Sequence, residues 1–222
     1  ETIYIGGGTP NVLPFELLKE FLQRLQSLIM QCTCSSGSLH NPMIINHKMQ
    51  NPGMQEFSIE CNPHLLKKEQ LSLFRDAGIT RISIGIQSFD DNMRTVLGRK
   101  GSSAEVLKAV EMVASHWSGQ WSGDLITGIP GQTEQSALED LATVFQFSPN
   151  HLSLYSLTLE PETPLWRHVQ CGSITPLSED REFTIWQSCL DFLGSNGYRR
   201  YEISNFEKKG NACRHNIRYW KM

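Results

Sequence analysis

The sequence predicts an α/β fold assembled from successive strand–loop–helix units. Short runs rich in β-branched and apolar residues alternate with segments whose apolar residues fall at helical spacing, several times along the chain. The residues suited to chemistry gather just after the strand-like runs, as they do beyond the C-terminal strand ends of parallel α/β folds. A length of 222 residues is enough for one large domain with a real core. The pattern alone leaves open whether the sheet closes toward a barrel or stays doubly wound.

The elements follow in order. "TIYI" (Thr2–Ile5) is the first strand. "LPFELLKEFLQRLQSLIM" follows as a helix, with Pro14 suited to the first turn and Phe15, Leu18, Leu22, Leu25 and Ile29 on one face. "FSIE" (Phe57–Glu60) is the second strand, and Leu66–Gly78 a helix stopped by its glycine. Arg81–Phe89, "RISIGIQSF", is the clearest strand, followed by a helix over Ser103–His116. "GDLITGIPG" (Gly123–Gly131) begins as a strand and ends as a loop before a helix over Glu134–Phe147. His151–Pro161 is a strand, Glu179–Gly197 a helix, and "YRRYEISNF" (Tyr198–Phe206) a sixth strand after five βα units.

Residues 31–56 break the rhythm. "QCTCSSGSLHNPMIINHKMQNPGMQE" is long, polar and aperiodic, and reads as a surface loop insertion. Cys32, Cys34, His40 and His47 raise the question of a metal, but their spacing fits no zinc pattern.

Twenty Lys and Arg against 23 Asp and Glu give a net charge of −3, which offers no footprint for nucleic acid. No apolar run approaches a bilayer span. The six cysteines are scattered, without CxxC or CxxxCxxC, which favours a reduced cytoplasmic protein over a disulfide framework. The chain opens on Glu1 almost inside a strand, and is read as a fragment whose N-terminal segment, with any targeting signal, is missing. GxxxxGK[ST], GxGxxG and GxSxG are all absent.

The loops after the strands carry the candidate site. In "YIGGGTP" three glycines cost backbone entropy, which suits either a close approach of ligand to backbone or a tight turn under the next loop. Glu60 precedes Asn62-Pro63, Gln87 and Ser88 end a strand, Arg99 lies in "LGR", and Asp124 opens "DLITGIPGQ". Two carboxylates, an amide and a guanidinium on one rim are costly to bury without partners. A carboxylate suits an ammonium or a ribose hydroxyl pair, and a guanidinium forks onto a carboxylate, so a zwitterionic nucleoside such as S-adenosylmethionine fits the set. An ion pair of Arg99 with Glu60 or Asp124 is the structural alternative.

"YIGGGTP", "SIECNP", "RISIGIQSFDD", "LGRKGSSAEVLKAV", "DLITGIPGQT", "HLSLYSLTLEPETPLW" and "YRRYEISNFEKKGNACRHNIRYW" occur in this order. The series resembles the radical S-adenosylmethionine proteins related to oxygen-independent coproporphyrinogen III oxidase, over nearly the whole chain apart from the insertion. That resemblance implies a partial radical-SAM (β/α) barrel over residues 1–222. It would lack the first strand, whose CxxxCxxC loop holds the family's [4Fe–4S] cluster, and the C-terminal domain. By the same resemblance Gly7, Gly8 and Thr9 approach S-adenosylmethionine through backbone and hydroxyl, Glu60 meets its amino-acid end, and Gln87, Arg99 and Asp124 match further cofactor positions. None of the six cysteines supplies the cluster triplet.

The terminal block, residues 197–222, resembles the haem-chaperone branch of the family, whose HNxxYW motif is associated with haem. Here the motif is His215, Asn216, Tyr219 and Trp220. Imidazole is a normal axial ligand of haem iron, and Cys213 is a second candidate. The bland alternative makes His215 a polar rim residue and packs Tyr219 and Trp220 into the core. The function implied is haem binding and transfer to acceptor proteins on a radical-SAM scaffold. The alternatives are an oxygen-independent coproporphyrinogen III oxidase of porphyrin biosynthesis, or an interaction domain that has lost its cofactor. Whether the chain is an enzyme stays open, as do peripheral membrane association and a homodimer. His64, His116, His151 and His168 stand alone, and Glu160 and Glu162, flanking Pro161, suit loop capping at least as well as acid–base chemistry.

Overall fold

A computed structural model describes residues 1–35, 43–45, 48–50 and 54–221, with side chains for 1–31 and 54–221. Its first elements are β1 (Thr2–Ile5), α1 (Phe15–Ser35), the short strands β2 (Met43–Ile45) and β3 (Lys48–Gln50), β4 (Glu56–Cys61) and α2 (Lys68–Asp76). The middle of the chain forms β5 (Arg81–Gln87), α3 (Asp91–Val96), α4 (Ser103–His116), β6 (Gln120–Thr127) and α5 (Glu134–Phe145). Then come β7 (His151–Ser156), α6 (Pro164–Gln170), α7 (Glu179–Ser195), the strands β8 (Tyr198–Arg200) and β9 (Asn205–Lys208), and α8 (Arg214–Tyr219).

The main sheet has seven strands in the order β1-β4-β5-β6-β7-β9-β8. The first five are mutually parallel, as the alternation of strands and helices predicts. The sixth strand of the sequence reading is instead a hairpin, in which β8 pairs antiparallel with β9 and β9 antiparallel with β7. A local turn makes the difference: Glu202 accepts the Ser204 N–H (2.8 Å) and the Asn205 side-chain amide, folding "YRRYEISNF" back on itself. Residues 31–56 also depart from a uniform loop. Helix α1 continues to Ser35, and β2 and β3 pair antiparallel. His40, His47 and the side chains of Cys32 and Cys34 lie outside the described residues.

The parallel strands have two different faces. On one lie Phe57, Ile59, Ile82, Ile84, Ile86, Leu125, Leu152 and Leu154, all nearly fully buried. They form a single core with Leu18 and Leu22 of α1, Leu71 and Phe74 of α2, Val106, Val110 and Val113 of α4, Leu141 and Val144 of α5, and Ile185 and Leu193 of α7. The alternate positions are polar: Glu56, Ser58 and Glu60 on β4, Arg81 and Ser83 on β5, Ser122 and Asp124 on β6, His151 and Ser153 on β7. A purely parallel sheet covered on both faces is apolar on both. Here the long helices pack the outer face, while the inner face is lined by mostly buried polar side chains and is covered at Glu56 by the start of α8, as in a barrel that encloses a site. Helix α8 carries the chain back to β1, where His215 meets Thr2 and Tyr4. Among the described residues no helix is long and apolar enough to cross a membrane.

Candidate functional site

A cavity of about 350 Å³ opens at the C-terminal ends of the parallel strands. Its wall includes Gly8, Thr9, Glu60, Gln87, Arg99, Asp124 and Tyr155. Six of the seven residues matched to the cofactor by the resemblance therefore converge on one space, and the seventh, Gly7, reaches its wall through an N–H to Glu60.

The three glycines have three different reasons. A β-carbon on Gly6 would lie 2.6 Å from Tyr4 Cε1 and 2.8 Å from Glu60 Cδ, so protein neighbours exclude a side chain there. Gly7 has φ +79°, a conformation disfavoured for residues with a β-carbon, and donates its N–H to Glu60 Oε2 (3.2 Å). Gly8, like Gly7, has nothing within 4 Å of a would-be β-carbon, and of the three glycines it is the one that lines the cavity.

Glu60 is held from both sides, because Tyr4 Oη donates to its Oε1 at 2.6 Å. Burial, then the adjacent Glu60 carboxylate, pushes the Tyr4 hydroxyl far above its ordinary range, so the phenol stays a donor. Gln87 ends β5 with φ 71°, and the β5–β6 register shifts between Gly85 and Gln87. A bulge with a non-glycine residue at positive φ stores strain and re-aims a side chain, here toward the cavity. Asp124 accepts the Ser83 hydroxyl at 3.0 and 2.9 Å. Burial raises its pKa to about 6, against the lowering effect of the Ser153 and Ser83 hydroxyls. Arg99 forms no ion pair among the described residues, so the structural pairing with Glu60 or Asp124 is not made.

Arg94 is a residue the sequence reading passed over. Its buried guanidinium donates to the carbonyls of Ile86 (2.8 Å), Ser88 (3.1 Å), Lys100 (3.0 Å) and Gly101 (3.1 Å). It ties the strand end that carries Gln87 to the loop that carries Arg99. Ser88 itself is fully buried and accepts the Asp90 N–H (3.0 Å), which makes it part of the loop rather than of the cavity.

His215 lies outside the cavity wall but close by. Its imidazole stacks on Tyr4, with ring centroids 5.0 Å apart and planes 22° from parallel, and its Nδ1 is 3.2 Å from Thr2 Oγ1. The start of α8 is anchored by buried Glu56, which accepts the N–H groups of Arg214 (3.0 Å) and His215 (3.1 Å) and pairs with Arg81 Nε at 3.2 Å. Burial alone would raise the Glu56 pKa, but Arg81 and these donors together hold it below its ordinary value. Cys213 does not behave as a candidate ligand. It is buried, its thiol donates to Glu56 Oε1 at 3.1 Å, and burial and the Glu56 charge push its pKa up to about 12. A buried thiol of that kind is not a thiolate donor. Tyr219 and Trp220, 68% and 58% exposed, are not core residues.

The remaining candidates serve locally. His151 bridges Ser122 Oγ and Tyr201 Oη, at 2.8 Å each, inside the barrel. His64 faces Glu105, and His116 and His168 bond within their own segments. Glu160 offers only its backbone carbonyl to the Thr163 hydroxyl (2.8 Å), and both Glu160 and Glu162 are exposed.

Comparison with known proteins places this geometry in context. A sequence model of the Radical SAM superfamily matches residues 1–144. The heme chaperone HemW of Lactococcus lactis is 32% identical over 219 residues, covering 99% of this chain and 52% of that protein. The mouse protein named Radical S-adenosyl methionine domain-containing protein 1, mitochondrial, is 30% identical over 221 residues, covering 100% of this chain and 46% of that protein. The chain thus spans about half the length of the curated relatives it matches. Among solved structures, coproporphyrinogen III oxidase (HemN) from Escherichia coli superposes with a TM-score of 0.71 at 23% identity, covering 94% of this chain and 43% of that one, a likeness of fold.

Proposed function

The chain belongs to the radical SAM superfamily, and on that premise we propose that it forms the S-adenosylmethionine- and haem-binding core of a haem chaperone that passes haem to acceptor proteins. One observation carries the first half of the reading: Gly8 and Thr9 after β1, Glu60 of β4, Gln87 of β5, Arg99 after α3 and Asp124 of β6 share one cavity. Its chemistry suits a zwitterionic nucleoside. Glu60 keeps free lone pairs for an ammonium beside the two donors it already has, and the unpaired Arg99 is free to fork onto a carboxylate. Asp124 offers a carboxylate to hydroxyls, and the open face of Gly8 with the Thr9 hydroxyl admits the methionyl part to the backbone. Together with a [4Fe–4S] cluster, bound S-adenosylmethionine would supply the radical chemistry for which the superfamily is named. Among the described residues no group of three His, Cys, Asp or Glu side chains is placed to hold a metal, so the residues present do not fit that cluster and no radical step is derived through them.

The second half rests on His215. With Nδ1 facing Thr2, Nε2 is the nitrogen available to an iron, and an oriented second nitrogen is what an axial imidazole requires. The similarity to proteins named heme chaperone HemW over 99% of this chain favours this reading over the oxidase, to which the likeness is one of fold. The test is a haem titration followed in the Soret region. His215→Ala should weaken binding or shift the band, while Cys213→Ser should leave the spectrum unchanged. Haem binding by His215→Ala with the parent's affinity and spectrum would overturn the haem assignment.

A further inference from the structure

Tyr4 touches both halves of the proposed site. Its hydroxyl donates to Glu60 Oε1 at 2.6 Å, on the cavity side, and its ring stacks on His215 at 5.0 Å. The packing is specific, because the absence of a side chain at Gly6 is what lets Tyr4 and Glu60 meet. The same short strand, β1, supplies Thr2, whose hydroxyl faces His215 Nδ1 at 3.2 Å, so the imidazole is oriented by two residues of one strand. Just beyond that strand the chain turns into Gly7, the second donor to Glu60. A single rigid element therefore runs from the carboxylate to the imidazole.

We propose that Tyr4 is a positioning residue that couples the two ligands: occupation of the cavity at Glu60 fixes the Tyr4 ring and so the imidazole of His215, and S-adenosylmethionine thereby tightens haem binding. The inference rests on the reading of the cavity and of His215 given above. The physical basis is preorganisation. A cation on Glu60 restricts its rotamer, Tyr4 is held to that carboxylate by a charge-assisted bond, and the stacked imidazole loses less freedom when a metal takes Nε2. Linkage makes the effect reciprocal, so haem must tighten S-adenosylmethionine by the same factor.

The experiment measures both affinities in the full-length protein: haem by Soret titration with and without saturating S-adenosylmethionine, and S-adenosylmethionine by calorimetry with and without haem. Coupling between sites typically spans about 5- to 150-fold, and at least fivefold tightening in both directions is expected. Tyr4→Phe keeps the stacked ring and removes the hydroxyl bonded to Glu60. Whatever it does to the affinity for each ligand alone, it should show a coupling factor below two. Tyr4→Leu, which removes the ring as well, should abolish coupling and also alter the haem spectrum. Two ligands that bind the parent independently, or Tyr4→Phe that retains the parent's coupling factor, would overturn the inference while leaving the two binding assignments intact. A parent protein that fails to bind one of the ligands would overturn that assignment and the coupling together.

Discussion

Replacing Glu56 should destabilise the protein more than replacing any exposed carboxylate. Glu56 is 3% exposed and accepts five donors: Arg81 Nε at 3.2 Å, Ser58 Oγ at 3.3 Å, Cys213 Sγ at 3.1 Å, and the N–H groups of Arg214 and His215 at 3.0 and 3.1 Å. Glu56→Ala leaves the Arg81 guanidinium buried and uncompensated, with Arg81 Nη1 already lacking a partner. Breaking a buried pair by removing one member costs about 3–5 kcal/mol. With a urea m-value of ~3 kcal/mol/M, the midpoint should fall by about 1–1.7 M. The sign with pH follows from the lowered Glu56 pKa. A carboxyl depressed in the folded state stabilises above its unfolded pKa, near 4.3, and that contribution is lost as the pH falls through the lower folded value. The gap between parent and Glu56→Ala should therefore be full at pH 7 and shrink on acidification below about pH 4.3. Equilibrium urea unfolding at several pH values measures it. A loss of less than about 1 kcal/mol at pH 7 would refute the view that Glu56 anchors α8.

Three further outcomes are expected. Asp124, whose pKa burial raises to about 6, favours the folded state when protonated, and that stabilisation is lost as the pH rises through about 6; Asp124→Asn should gain on the parent in melting temperature from pH 4 to pH 7. His151, held neutral by burial with a pKa of about 3, should cost the parent stability between pH 6.5 and 3 at about 1.4 kcal/mol per pH unit, and His151→Gln should flatten that acid limb. At Gln87, φ 71° tolerates glycine, so Gln87→Gly should stay within about 1 kcal/mol of the parent, whereas β-branched Gln87→Val should lose ~2 kcal/mol or more in chemical denaturation.

Local pattern in the sequence was enough to find the strand–loop–helix units and the loops that bear the cavity residues, because both depend on neighbours along the chain. The polar inner face was equally legible and went unread: in "RISIGIQ", Arg81, Ser83, Gly85 and Gln87 alternate strictly with Ile82, Ile84 and Ile86. Period-two alternation in parallel strands marks a sheet with one apolar and one polar face. Other features depend on contacts far apart in sequence. Glu56 and His215 are 159 residues apart, and nothing near either announces their bond. The hairpin over β8 and β9 turned on one glutamate side chain folding back onto Ser204, too weak a local signal to separate it from a single strand. Arg94 looks like an ordinary helix cation until its four carbonyl partners are seen.

The measurement that bears most directly on the cavity is calorimetric titration of S-adenosylmethionine into the full-length protein, its Glu60→Gln variant and its Arg99→Ala variant. Truncating one partner of a charged contact that the bound ligand desolvates costs about 2–5 kcal/mol, so each variant should bind at least tenfold more weakly while unfolding at nearly the parent's temperature. Parent-like affinity in both variants, with their folds intact, would contradict the assignment of this cavity to S-adenosylmethionine.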